Sequence, residues 1–201
     1  MVRKELVGES MTEDERFHLD DRGAILVDSY QSRRAVFGVT RSEDLRVDYS
    51  RNVARHQSKN RTRDVALSPG DLGPVSYQLQ LARDLSAGKT LPTYRVIHRG
   101  KIKDYRFEIV GEETLATPLG PIRTLKLRRV RDTQERETLF WMAPAWSFLL
   151  VKLWQREEDG ESYELILSRA TLDGQPLAGS SADPDAGPTA VVEAPPGASA
   201  R

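Results

Sequence analysis

In the second half of this chain, apolar residues recur at every second position and turn signals interrupt them about every ten residues, the pattern of successive short strands. Residues 90–98 turn at Arg99-Gly100 into residues 101–110, where Tyr105, Phe107 and Ile109 share one face. After Gly111 and two glutamates, residues 114–117 form a short strand, and Pro118 to Pro121 make a tight turn. Leu125 and Leu127 then oppose Lys126 and Arg128 within residues 122–130. Residues 137–142 and 146–155 follow, separated by the breaker Ala143-Pro144-Ala145. Asp159-Gly160 is a hairpin signal, and residues 161–170 set Tyr163, Leu165 and Leu167 on one face. The first half offers further strands at residues 17–19, 24–30, 35–39, 45–49 and 52–56, with alternation clear at 17–19 and 45–49, whereas residues 57–69 read as polar and irregular.

One segment has the other period. Across residues 73–85, Val75, Leu79 and Ala82 form one stripe, and Tyr77, Leu81 and Leu85 form a second beside it. That broad apolar face suits a helix lying on a sheet, with Gly73 as cap and Pro74 in the first turn. About eleven short strands joined by tight turns pair antiparallel, and so many strands must curl, close or split. The expected fold is mainly β: a strongly curved antiparallel sheet or open barrel with one helix packed near 73–85.

Composition refines the boundaries. The chain has 201 residues, enough for one domain with a core. From residue 173 onward it is Gly, Pro, Ala and Ser with scattered acids, too poor in apolar surface to repay its ordering. The expected organisation is a poorly ordered lead over 1–16, a single β-rich domain over 17–172 and a disordered tail over 173–201. The 30 basic and 30 acidic residues cancel, but residues 31–63 hold nine bases against three acids. Such an excess suits phosphates or anionic lipid, but a solvated strand face with its loop is the commoner reading. There is no cysteine, so disulfides and thiolate metal sites are excluded. No run reaches the length of a transmembrane helix, and the first ten residues lack the apolar core of a secretory signal. Taken as written, the sequence is that of a cytoplasmic protein.

Little in the sequence points to catalysis. His18, His56 and His98 are not spaced as zinc ligands, and no cofactor motif is present. Ser76 and Ser147 lie in no nucleophile-elbow pattern, and the acid pairs Asp20/Asp21, Glu112/Glu113 and Glu157/Glu158 fall in turns. A hydrolase or carbohydrate-active enzyme using such surface carboxylates is one alternative reading. The basic run Arg123, Lys126, Arg128, Arg129 and Arg131 has no interleaved aromatic rings, which argues against a nucleic-acid platform. Residues 146–155 are apolar on both faces, so they are buried on both or line an interior. Trp154 shares parity with Phe148 and Leu150. Tyr105, Phe107, Ile109, Trp141, Phe148, Leu150 and Trp154 are therefore the candidates for lining a site for an apolar or lipid-like ligand.

Three stretches also resemble a known family. They are Asp71 with the run Ser76 to Arg83 and Gly88-Lys89; Tyr105-Arg106-Phe107 with Gly111 and Leu115 to Gly120; and Thr138 to Pro144 with Leu150 to Leu153, Asp159-Gly160 and Tyr163 to Leu165. In order and spacing these are similar to the bacterial domain-of-unknown-function family 3108, over residues 17–172. The resemblance implies a β-rich envelope protein of Gram-negative bacteria, usually made with a secretory signal, and brings no catalytic residue. It places the protein in the periplasm if the true start lies upstream of Met1. Two departures stand out: a short polar lead precedes Phe17, and Leu150 stands where many relatives have proline. Together these readings favour a non-enzymatic envelope protein that binds an apolar or amphipathic ligand or assists assembly. A β-rich scaffold for a protein partner is the further alternative.

Overall fold

The computed structural model describes residues 2–6, 9–36, 39–89, 93–131, 135–172 and 174–179. Two six-stranded antiparallel sheets follow one another in the chain, each a simple meander. The first contains β1 (Val2–Leu6), β2 (Glu9–Leu19), β3 (Ile25–Val36), β4 (Val39–Asp48), β5 (Val53–Ser58) and β6 (Arg61–Ala66), in that spatial order. The helix α1 (Ser76–Ser86) comes next. The second sheet contains β7 (Thr93–Ile97), β8 (Ile102–Thr117), β9 (Gly120–Val130), β10 (Glu137–Ala143), β11 (Leu149–Arg156) and β12 (Ser162–Ile166), again in order. A two-residue pair, β13 (Thr171–Leu172) and β14 (Gln175–Pro176), ends the described chain. The fold is mainly β with one helix, and among the described residues neither sheet closes on itself.

Several boundaries differ from the pattern. The lead read as poorly ordered over residues 1–16 supplies β1 and most of β2, which pairs with β3 along its length. Glu13 and Glu15 of β2 reach inward to Tyr30 and to the start of α1, and such polar inward residues give no period-two hydrophobic signal. Residues 61–66, read as irregular, form β6; only Val65 of that strand is buried, and Arg55 and Asp64 pair across it. The two strands expected over 24–30 and 35–39 are largely one, as are those over 101–110 and 114–117. The turn at Arg99-Gly100 is as read: both residues have positive φ, 51° and 71°, the geometry of a two-residue hairpin loop. The tail expected to be disordered from residue 173 includes the described segment 174–179, which forms β14 and docks on Leu119. Its remainder, 180–201, and residue 173 lie outside the described residues.

Three clusters hold the sheets. In the largest, Tyr77, Leu81 and Leu85 of α1 pack on Tyr94, Val96, Tyr105, Phe107, Leu127, Phe140 and Met142 of the second sheet and on Ile25 of the first. A second joins Tyr30, Leu45, Ala54 and Val65 of the first sheet to Ile97 of β7. The third lies on the far face of the second sheet around Ile122, Ala143 and Val151. The helix thus sits on the inner face of the second sheet and touches the first. The segment before it is tied to β7 through the Leu72–Val96 bridge and the Arg95–Asp71 ion pair at 2.6 Å.

Candidate functional site

Cross-strand partners share a face, so the register shows what the inner face of the second sheet presents. One row crosses five strands and is wholly apolar: Leu165, Leu153, Phe140, Leu127 and Ile109. Leu150, Met142 and Leu125 form a shorter apolar row beside it. The helix covers the centre, where Tyr77 meets Tyr105 edge-on at 5.1 Å and Phe107 meets Phe140 at 5.4 Å. Away from that centre the cover thins: Leu125 of β9, and Phe148, Leu150 and Leu153 at and within β11, are only partly buried against the cluster. At the β8 end of the long row, Ile109 is 44% exposed.

Of the seven sequence candidates, Tyr105 and Phe107 lie in this cluster, and Phe148 and Leu150 pack against its edge. Phe148 reaches it from an unusual backbone: Ser147 and Phe148 both have positive φ, 51° and 57°, directly after the turn of 3₁₀ helix at Pro144–Trp146. Ile109 is on the same face but largely uncovered. Trp141 and Trp154 are on the opposite face. Trp141 pairs with Lys126 and Lys152, lies between their ammonium groups at 4.9 and 5.0 Å, and donates its indole N–H to Glu113. Trp154 pairs with Leu139 and Glu164. The parity linking Trp154 to Phe148 and Leu150 fails because Val151 is an extra residue opposite the Trp141/Met142 step, and the bulge reverses the phase of β11.

A second zone of the inner face adjoins the apolar rows, and in the sequence it shows only as the end of the basic run from Arg123 to Arg131. Past Leu127 the inward positions of β9 and the residue after it are Arg129 and Arg131. Phe107 pairs with Arg129, while Tyr163, Gln155 and Thr138 form a polar row on β12, β11 and β10. The Arg129 guanidinium lies over the Tyr105 ring at 3.2 Å, and Arg131 donates to the Thr138 hydroxyl at 2.9 Å. The Nε atoms of both arginines are shut off from solvent and have no hydrogen-bond partner among the described residues. Carboxylates in the neighbourhood have other partners: Glu13 accepts from the Tyr30 hydroxyl, Glu157 and Glu158 pair with Arg136, and Glu43 with His56 and Arg99. Burial, then Arg99, Lys103, Arg129 and Arg131, push the His98 imidazole down to about 4, so it is neutral near pH 7. Burial and the same arginines also lower Lys103, which is exposed and marks the open side of the cluster.

Among the described residues, no group of three or more His, Cys, Asp or Glu side chains is placed to hold a metal ion. His18 bonds Asp28, His56 bonds Glu43 and His98 lies beside Tyr105, three separate settings. No helix among the described residues is long and apolar enough to cross a membrane.

Comparison with known proteins supports the architecture. A solved structure described as a beta-barrel-like protein of domain of unknown function DUF1849, from Brucella abortus, superimposes with a TM-score of 0.51. It is 7% identical in sequence, and the match covers 79% of this chain and 72% of that one, a likeness of fold alone. No curated protein matches the chain. The model of the family described as "Protein of unknown function (DUF3108)" matches residues 16–168, from the β2 strand to just past β12, and the chain belongs to that family.

Proposed function

We propose that the protein is a non-enzymatic binder of an amphipathic, lipid-like ligand, acting at the periplasmic side of the cell envelope. The observation that carries the binding reading is the five-strand apolar row that the helix covers only in part, leaving Leu153, Leu165 and Ile109 incompletely buried on an inward face. Acyl chains need such a surface and little else, because burial of methylene groups is the main driving force. The envelope assignment is supported by the family resemblance, and fractionation of the source cells checks it.

Calorimetric titration of the full chain with dodecanol tests the binding reading. Saturable binding is expected. Leu153→Asn, which puts an amide on the half-buried part of the row, weakens it by about tenfold, the worth of one or two buried methylenes and a misplaced polar group. Trp154→Phe, on the opposite face, leaves it unchanged. No saturable response to dodecanol or to other lipid classes, or equal loss in both variants, refutes the reading.

A further inference from the structure

We propose that Arg129 and Arg131, with Lys103 at the open side, form an oxyanion-binding site on the inner face of the second sheet. The site takes the acidic head, carboxylate or phosphate, of a ligand whose chain lies on the adjoining apolar row. The head-group assignment stands on the arginines themselves, and only the placement of the tail rests on the lipid-like reading above.

Three observations converge. The first is unmet hydrogen-bonding demand. Buried polar atoms in folded proteins almost always have partners, yet the Nε atoms of Arg129 and Arg131 have none among the described residues. Each guanidinium offers five donors in a planar fork matched to an oxyanion. The second is unbalanced charge. Arg129, Arg131 and Lys103 influence one another and His98, and none of the three has a carboxylate within ion-pair distance among the described residues. The Nε of Arg136 nearby also lacks a well-directed hydrogen bond, but its guanidinium is ion-paired with Glu157 and Glu158 at 2.8 and 3.2 Å, so it is not counted in the site. A protein does not gain stability from clustering unpaired cations, and a bound anion removes the repulsion. The third is pre-organisation. Arg129 is fixed on the Tyr105 ring, and Arg131 is fixed by Thr138, whose hydroxyl continues to Gln155. The forks are held in place before any ligand arrives, which limits the entropy lost on binding. Position supplies the link to the tail: Arg129 is the next inward residue after Leu127, a member of the apolar row, so head and chain occupy neighbouring rows.

Calorimetry on the full chain with dodecanoate, dodecanol and inorganic phosphate decides the matter. Dodecanoate is expected to bind at least about tenfold tighter than dodecanol, the usual worth of one charge-assisted hydrogen bond. The double variant Arg129→Gln/Arg131→Gln should bring dodecanoate down to the dodecanol level and leave dodecanol unaffected. Arg128→Gln, which removes an arginine paired with Glu108, should change neither. The wild-type preference for dodecanoate should also shrink as sodium chloride rises, a readout that needs no variant to fold. Equal wild-type affinities for dodecanoate and dodecanol, or a double variant that keeps the preference, overturn the anion site while dodecanol binding upholds the apolar reading. Phosphate binding that depends on both arginines, without binding of either twelve-carbon ligand, upholds the anion site for a free oxyanion and removes the lipid reading. No binding of any of the three ligands removes both.

Discussion

Glu15 closes the N-terminus of α1 from another element. The helix has no side-chain cap of its own; instead the Glu15 carboxylate, reaching in from β2, accepts the backbone N–H of Val75 at 2.7 Å and of Ser76 at 3.1 Å. Gly73, expected from sequence to be the cap, serves a different purpose: a Cβ there would collide with the Glu15 carboxylate. Burial raises the Glu15 pKa above 4.5, against the hydrogen bonds from Ser76 and Val75 that lower it, and Glu13 adds to the rise. A carboxyl raised in the folded state holds its proton more tightly there than in the unfolded chain. Its contribution is therefore fully present below 4.5 and is lost as pH climbs through the folded value. Glu15→Gln cannot ionise and escapes that loss. Urea denaturation of the two proteins across this range should show the wild-type advantage greatest in acid and smaller at neutral pH. A gap that stays constant, or that widens towards neutrality, contradicts the assignment.

At the scale of elements, the helix is anchored to the sheet through a buried carboxylate. Asp84 is 5% exposed and accepts from the Tyr94 hydroxyl at 2.9 Å, from Lys89 at 2.6 Å and from Gln80 at 3.0 Å. Burial works to raise its pKa, and the bonds from Lys89, Tyr94 and Gln80 outweigh it, so the group stays below the usual carboxylate range. Asp84→Ala should cost about 2–3 kcal/mol, because it leaves the Tyr94 hydroxyl buried without a partner. Tyr94→Phe should cost about 1 kcal/mol, and the double variant should cost less than the two together. Strict additivity in urea denaturation would show that the two groups do not interact. Asp84 was invisible in the sequence for a plain reason: a charged residue between apolar stripes reads as solvent-facing. The strands were more legible. Alternation located most of those in the second sheet and the hairpin at Arg99-Gly100, because one face of each strand is buried. Its phase failed at bulges. Val110 and Val151 are extra residues in β8 and β11, so faces read by parity on one side of each do not continue on the other. Trp154 was misplaced for that reason, and Ile109 shares its predicted face but lies where neither helix nor β7 covers it. The arginine zone was legible only as a basic run, since spacing alone cannot tell an inward arginine from a solvated one.

At the scale of the molecule, two successive meanders pack on a helix that keeps one face exposed, and the end of the described chain returns to the outer face of the second sheet. The apolar cluster there, Ile122, Ala143 and Val151 with Leu115, Leu119, Trp146 and Leu167 against it, is bordered by the segment leading to residue 179. That segment is fastened through its backbone: Leu167 N–H to Val151 at 2.7 Å, Leu177 N–H to Ala170 at 2.9 Å and Gly179 N–H to Leu119 at 2.6 Å. Composition suggested a tail with nothing to bury, and it did so by weighing side chains. Main-chain hydrogen bonds need none, and at the last contact a side chain would be harmful. A Cβ on Gly179 would meet the Pro121 carbonyl oxygen at 2.7 Å, the Gly120 carbonyl carbon at 2.8 Å and the Leu119 oxygen at 2.9 Å. All three are backbone atoms, so no rotamer change relieves the clash. Gly179→Val should therefore release the segment from the β8–β9 turn, at a cost of about 1 kcal/mol for the lost hydrogen bond and its neighbours. Hydrogen exchange should show faster exchange at the amides of positions 177 and 179. Protection in β3, β4 and α1 should be unchanged, because those elements belong to the other two clusters. Undiminished protection at both positions would mean that the closing contact is not what holds the chain end, and a loss that spread to β3 or α1 would mean that the outer cluster and the inner ones unfold as one unit.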